Sequence, residues 1–263
     1  MLIRVCLLTI GLCVASLAQA EAVYFLNGDP SQIENRNVIS WPTLSDFTSN
    51  TNRSLSGTRT NAATSSGISL LANGTFYVFE RSATATGTVD LRSWSSIDSY
   101  ASGAAGTLVG TTTASLGPSS GFHVSQAGAV YFLEGDPSVT STSSRTLYSW
   151  SSLSTFLSDT NRTNIGTTTL GAGLGLSVGD SKIYFLEGSP VTVGNKKILE
   201  WPTVADFLAG TNQTDYNNAN SGATTTSSGL AITPTPVPEP TTTVMLVAAL
   251  VAVITCRRRT LVS

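Results

Sequence analysis

The chain has 263 residues and few of the groups that carry out most enzymatic chemistry. It holds one histidine, His123, and three cysteines close to its ends, Cys6, Cys13 and Cys256. The body between them has no thiol for a disulfide, a nucleophile or a soft metal site. A Ser-His-Asp triad would have to be built on His123, and no nucleophile-elbow pattern accompanies it. Charge is also scarce, at 11% of residues. Without Arg4, Arg257, Arg258 and Arg259, the 14 basic residues fall to 10 against 16 acids, leaving the body near −6 (10 − 16). A mildly acidic body argues against a nucleic-acid partner, which requires a basic surface. Ser, Thr, Gly and Asn supply the polarity instead, and regular aromatic clusters separate the chain from a disordered polar one.

Apolar stretches stand at both ends. Arg4 precedes the apolar residues 5–17, and Leu17-Ala18-Gln19-Ala20 presents the small-x-small pattern of Ala18 and Ala20. Residues 1–20 are therefore expected to be a signal helix cut after Ala20, leaving Glu21 first. The apolar run is short for a membrane span, and Ile10-Gly11-Leu12 before Cys13 is a poor lipobox. At the other end come Val237-Pro238-Glu239-Pro240, an apolar stretch over 241–256, and Arg257-Arg258-Arg259. The stretch predicts a short transmembrane helix with the arginines on the cytoplasmic side. An ordinary tail anchor would share the last two features. The full order, behind a signal peptide, resembles the PEP-CTERM sorting signal. That resemblance covers only the C-terminus. It implies an exosortase-type membrane enzyme that recognises Pro-Glu-Pro, cuts nearby and delivers the protein to the cell surface or extracellular matrix.

The body repeats. Val23-Tyr24-Phe25-Leu26-Asn27-Gly28-Asp29-Pro30 returns around Tyr77, Tyr131 and Tyr184, at intervals of 53, 54 and 53 residues. Trp41-Pro42-Thr43-Leu44-Ser45-Asp46-Phe47 has partners starting at Trp94, Trp150 and Trp201. A third segment is a glycine before an alternating apolar strand: Gly67-Ile68-Ser69-Leu70, Gly121-Phe122-His123-Val124, Gly173-Leu174-Gly175-Leu176 and Gly229-Leu230-Ala231-Ile232. The chain begins with a Tyr segment and ends with a Gly segment. Four whole units therefore exist only if 229–232 joins the first Tyr segment.

A closed ring explains that split. The expected fold is all-β: a four-bladed β-propeller over 21–232, its first blade closed by the C-terminal strand. Residues 233–240 should form a Thr/Pro stalk and 241–263 the apolar helix with its basic tail. Within a blade, the Gly, Tyr, Trp and Thr-rich segments are strands one to four. Leu44 with Phe47, and Val204 with Phe207, mark a helical turn after Trp. Thr43 with Asp46, and Thr203 with Asp206, stand at capping-box spacing. Pro42 and Pro202 suit a helix start, and Gly210 its end. The blade count and the Tyr strand are similar to the hemopexin-like propeller, an analogy of fold that carries no function. A β-sandwich or irregular solenoid of the same strands is the alternative.

No catalytic residue, cofactor or metal site stands out. His123 reads as a polar or semi-buried strand position. Asp29 and Asp136 lie between Gly and Pro, a turn signature that could also serve calcium. Glu80, Glu134 and Glu187 recur at the ends of Tyr strands, and recurrence in each blade speaks for structure. The Thr runs 111–113, 167–169 and 224–226 lack the flat, short-period array of an ice-binding surface. The expected function is a structural or binding role at the cell surface. The alternatives are a polysaccharide-binding module acting on exopolysaccharide, or a glycan hydrolase using a carboxylate pair about 5–10 Å apart.

Overall fold

The computed structural model describes residues 21–234, apart from 114, 140, 180, 181, 193 and 218–225. The signal peptide with Ala18 and Ala20, the motif Val237-Pro238-Glu239-Pro240, and the segment carrying Arg257, Arg258 and Arg259 lie outside the described residues. Among the described residues, no helix is long and apolar enough to cross a membrane.

Four antiparallel sheets of four strands form a ring, a four-bladed propeller arrangement. Blade 1 orders β16 (Ser227–Pro234), β1 (Glu21–Asn27), β2 (Glu34–Trp41) and β3 (Ser54–Ala62). Blade 2 holds β4 (Ile68–Leu70), β5 (Phe76–Glu80), β6 (Asp90–Trp94) and β7 (Thr107–Thr111). Blade 3 holds β8 (Ser119–Val124), β9 (Val130–Glu134), β10 (Ser143–Trp150) and β11 (Thr163–Leu170). Blade 4 holds β12 (Gly173–Val178), β13 (Ile183–Glu187), β14 (Lys197–Trp201) and β15 (Thr214–Asn217). The last strand pairs with the first, closing blade 1 as its split repeat requires. β16 runs through Thr233 to Pro234 opposite Ala22 and Glu21, so the expected stalk loses its first two residues to the sheet.

The Gly strands line the axis and touch in cyclic order β4, β8, β12, β16. Gly67, Gly121, Gly175 and Gly229 are spaced 54 residues apart. A Cβ on Gly67 would lie 2.7 Å from the Phe122 Cβ, and one on Gly121 would lie 2.5 Å from the Leu176 Cβ. A Cβ on Gly175 would lie 2.6 Å from the Leu230 Cβ, and one on Gly229 would lie 2.9 Å from the Ile68 Cγ1. Each blade thus seats the apolar residue of the next on its own bare backbone, and the fourth contact returns to the start. This corrects the third repeat. Gly175-Leu176-Ser177-Val178 is in register, because Ser177 faces Tyr184 as Ser69 faces Tyr77 and His123 faces Tyr131. A two-residue slip keeps the same side chains on the same face, so alternation alone cannot detect it.

Polar links join the same strands. Ser69 Oγ donates to the Val124 carbonyl at 2.9 Å and accepts from the Val124 N–H at 3.0 Å. Ser177 does the same with Ile232 at 3.2 Å each way. At the third junction His123 replaces serine and hydrogen-bonds the Val178 backbone, while its Nδ1 has no partner. The ring is buried rather than semi-buried, and burial lowers its pKa to about 4.

Outside the axis, each tryptophan meets a helix. The helices are α1 (Leu44–Ser49), α2 (Ile97–Ala101), α3 (Leu153–Leu157) and α4 (Val204–Ala209). Trp41 and Phe47, Trp94 and Tyr100, Trp150 and Phe156, and Trp201 and Phe207 pack edge to face at 5.0–5.2 Å. Thr43 and Thr203 are N-caps, one residue after Pro42 and Pro202, and each hydroxyl accepts from the Asp46 or Asp206 N–H at 3.0 Å. The two aspartates also accept from the Asn52 and Asn212 amides at 2.7 Å. A reciprocal capping box closes at Ser152 and Thr155. Gly210 ends α4 at φ 64°, in the left-handed region.

Gly121→Ala should lower stability by about 1–3 kcal/mol, because the added methyl has no room against Leu176. Its denaturant midpoint should fall with an unchanged slope. His123 makes a second prediction. The unfolded chain protonates near 6.5 and the folded one only near 4. Stability held above pH 6.5 is therefore lost as pH falls toward 4, by about 3 kcal/mol in full. His123→Ser, which restores the serine of two other junctions, should flatten that part of the curve; parallel curves for the two proteins would refute it.

Candidate functional site

The Tyr strands all end on one face of the ring, where they lead into turns. Asp29 Oδ1 accepts from the Ser31 N–H at 2.8 Å and the Ser31 hydroxyl at 2.6 Å, and Asp136 repeats both contacts with Ser138. These are Asx turns. The Pro30, Ala83, Pro137 and Pro190 carbonyls then accept from the N–H groups of Ser65, Ser119, Gly173 and Ser227, at 2.8–3.2 Å. Each of these donors belongs to the next blade, so the turns brace the ring. Among the described residues, no group of three or more His, Cys, Asp or Glu is placed to hold a metal.

The glutamates at the strand ends are also committed to contacts. Glu80 pairs with Arg92 at 2.8 Å and Glu187 with Lys197 at 2.6 Å. Glu134 Oε1 accepts from the Gly117 N–H at 2.7 Å, and Asn27 stands opposite Asn37.

Beneath the turns lies a feature that the sequence reading missed: a buried cation in every blade. Arg36, Arg81, Arg145 and Lys196 expose 0%, 8%, 1% and 2% of their surface. Arg36, Arg145 and Lys196 each precede the first Trp-strand residue paired with the Tyr strand, namely Asn37, Thr146 and Lys197. Val89 takes that place in blade 2, and Arg81 arrives from beyond β5. Arg36 Nη1 donates to Ser228 Oγ, and Arg145 Nη1 to Ser120 Oγ. Ser66, the blade 2 counterpart, has no partner for its hydroxyl. Backbone carbonyls solvate the rest of each charge. Arg36 Nη2 donates to Asp29 O at 2.7 Å and Gln32 O at 2.9 Å. Arg81 donates to the Gly87, Leu116 and Gly117 carbonyls at 2.7, 2.9 and 2.5 Å. Burial lowers Arg81 and Arg145 to about 10 and Lys196 to about 8. The one signal in the sequence was positional, a basic residue five places before Trp41, Trp150 and Trp201. A lone Arg normally reads as surface.

Blade 4 differs from blades 1 and 3. Lys196 replaces arginine, and Leu174 stands where Ser120 and Ser228 stand. Lys196 Nζ donates to the Ser189 and Thr192 carbonyls, the counterparts of Asp29 and Gln32. Beside it opens a pocket of about 480 Å³, lined by Glu187, Ser189, Asn195, Lys196, Lys197 and Asn217 together with Gly171 of the blade linker and Gly188 of the turn. Asp215 reaches Lys197 Nζ at 3.3 Å, so two carboxylates share that ammonium.

A second polar cluster sits at the opposite end of blade 4. Lys182 Nζ lies 3.2 Å from Glu200 and 3.6 Å from Glu21, and Tyr216 donates to Glu200 at 3.0 Å. Burial and these carboxylates raise the Tyr184 and Tyr216 hydroxyls.

No protein-family model matches the chain, and no curated protein matches it. Arg145→Ala should cost about 2–3 kcal/mol, since its 1% exposed side chain leaves a cavity and the buried Ser120 hydroxyl loses its donor. Lys196→Ala should cost less than half as much, because the pocket admits water to the carbonyls left behind. Denaturant midpoints of the two variants will rank them.

Proposed function

We propose that the protein is an exported, surface-sorted propeller whose role is binding or structural. Residues 1–20 act as its signal helix. Residues 241–256 act as a short membrane helix held by Arg257, Arg258 and Arg259. An exosortase-type enzyme then processes the chain near Pro238-Glu239-Pro240, and the body reaches the cell surface or matrix. The observation that carries this reading is the span of the ring. All sixteen strands of the four blades lie within residues 21–234, between the expected cut and Val237. Both signals can be removed without taking a strand from any blade.

A non-enzymatic role is supported by what the polar groups already do. Asp29 and Asp136 close turns, and Glu80, Glu134 and Glu187 each serve contacts within the blades. The carboxylates that share a site are held on lysines, Glu187 and Asp215 on Lys197, and Glu21 and Glu200 on Lys182. The blade 4 pocket favours a binding role, with exopolysaccharide as the natural ligand of a matrix protein.

The test is expression in a bacterium with an exosortase, with the purified chain sequenced at both ends by mass spectrometry. The expected product begins at Glu21 and lacks Arg257 to Arg259. Glu239→Ala should leave the C-terminus uncut and the chain in the membrane fraction. Recovery of a full-length chain from the cytoplasm would refute export and sorting together.

A further inference from the structure

Three of the four buried cations are matched by their surroundings. Arg36 has Glu34 and Asp29 acting on it, Arg81 has Glu134, and Arg145 has Asp136 and Glu187. None of the four makes an ion pair among the described residues, but no carboxylate acts on Lys196 even at longer range, and burial alone lowers it. Its ammonium has three donors, and among the described residues two backbone carbonyls accept from it, which leaves one donor. A buried charge without a counter-ion is costly. In this blade it also borders open volume rather than packed protein.

The volume exists for a reason visible in blades 1 and 3. There a guanidinium reaches from backbone carbonyls to an inner-strand serine. Lysine is shorter and single-pointed, and Leu174 offers it no hydroxyl. The remaining lining is polar without an aromatic platform: two amides, a serine, and Glu187 with Lys197, whose ammonium Asp215 also shares. A cavity of about 480 Å³ is in the range of small-molecule sites and exceeds what a bare inorganic anion needs. Amides, a hydroxyl and a carboxylate suit the hydroxyls of a sugar ring. The unmatched ammonium suits a carboxylate on that ring.

We propose that the blade 4 pocket is a subsite for a carboxylate-bearing sugar, a uronate unit of an acidic polysaccharide, with Lys196 as its counter-ion. It rests on the binding role proposed above and names the ligand class of that role. Lys196 binds the carboxylate, and Asn195 and Asn217 hold ring hydroxyls.

The experiment is isothermal titration of the purified protein with sodium glucuronate, glucose and sodium sulfate. Glucuronate should saturate one site, glucose should not, and sulfate should compete only weakly. Lys196→Gln should weaken glucuronate at least tenfold. The pair Leu174→Ser with Lys196→Arg rebuilds the arrangement of blades 1 and 3, so it should keep the melting temperature and lose the ligand. Affinity should fall as pH rises through about 8, where the buried ammonium loses its proton. The other charged groups facing the pocket are Glu187 on β13, Lys197 on β14, Asp215 on β15 and Arg145 of blade 3. Equal glucuronate affinity in Lys196→Gln, or no saturation by glucuronate, would overturn the subsite. Sulfate binding as tightly as glucuronate would also overturn it, leaving a simple anion site. Retention of the protein on a neutral glucan without glucuronate binding would overturn this inference and keep the binding role. No retention on any polysaccharide would remove both.

Discussion

The ring depends on four close approaches between backbone and side chain. At Gly67, Gly121, Gly175 and Gly229 the backbone of one inner strand comes so near the next blade that a methyl group would not fit. The inner strands of a four-bladed ring crowd the axis, and glycine lets each blade advance onto its neighbour. The apolar partners Phe122, Leu176, Leu230 and Ile68 are fully buried there. The Ser69 and Ser177 hydroxyls stitch the same junctions through backbone groups, and His123 does so less completely. A second circle of contacts lies farther out. Gly110 of blade 2 lies under Leu157 of α3, and Gly166 of blade 3 under Leu208 of α4. Each helix thereby fills the gap to the preceding blade.

Within this frame the blades are not equal. Blades 1 and 3 share the Gly-Asp-Pro-Ser turn, the buried arginine and the inner-strand serine. Blades 2 and 4 depart from that set in different ways. In blade 2 Val89 removes the arginine, and Arg81 enters from the far side of the turn to replace its charge. In blade 4 the charge stays but shortens, and the serine is gone. The first change is compensated by protein carbonyls. The second leaves space, and a pocket opens there in blade 4.

Much of this was legible in the sequence because aromatic repeats survive where packing demands them. Tyr24 and its copies sit in strands covered on both faces, and each Trp pairs with an aromatic three or more residues into a helix, so neither position tolerates drift. The split repeat gave the closure by β16. Thr43 with Asp46 marked a helix start through capping chemistry that is local to four residues. What escaped was non-local. Gly173 and Gly175 satisfy the same alternation, and only the neighbouring blade distinguishes them. Arg36 and Arg145 look like surface residues until the carbonyls that solvate them are assembled from three segments. The pocket is less legible still, since it arises from what Lys196 and Leu174 fail to fill.

The seam between β1 and β16 has a consequence for the order of events in folding. Gly28 and Ser228 are hydrogen-bonded partners 200 residues apart. The first strand to be made therefore waits for the last before its inner edge is covered. Contacts so distant along the chain form slowly, because the loop entropy must be met before they stabilise anything. Blades 2, 3 and 4 are each continuous in sequence and can form as units, while blade 1 stays an open three-stranded sheet until the end. A chain synthesised N-terminus first thus remains unclosed until its last strand is made, and closure reports that the whole body is present.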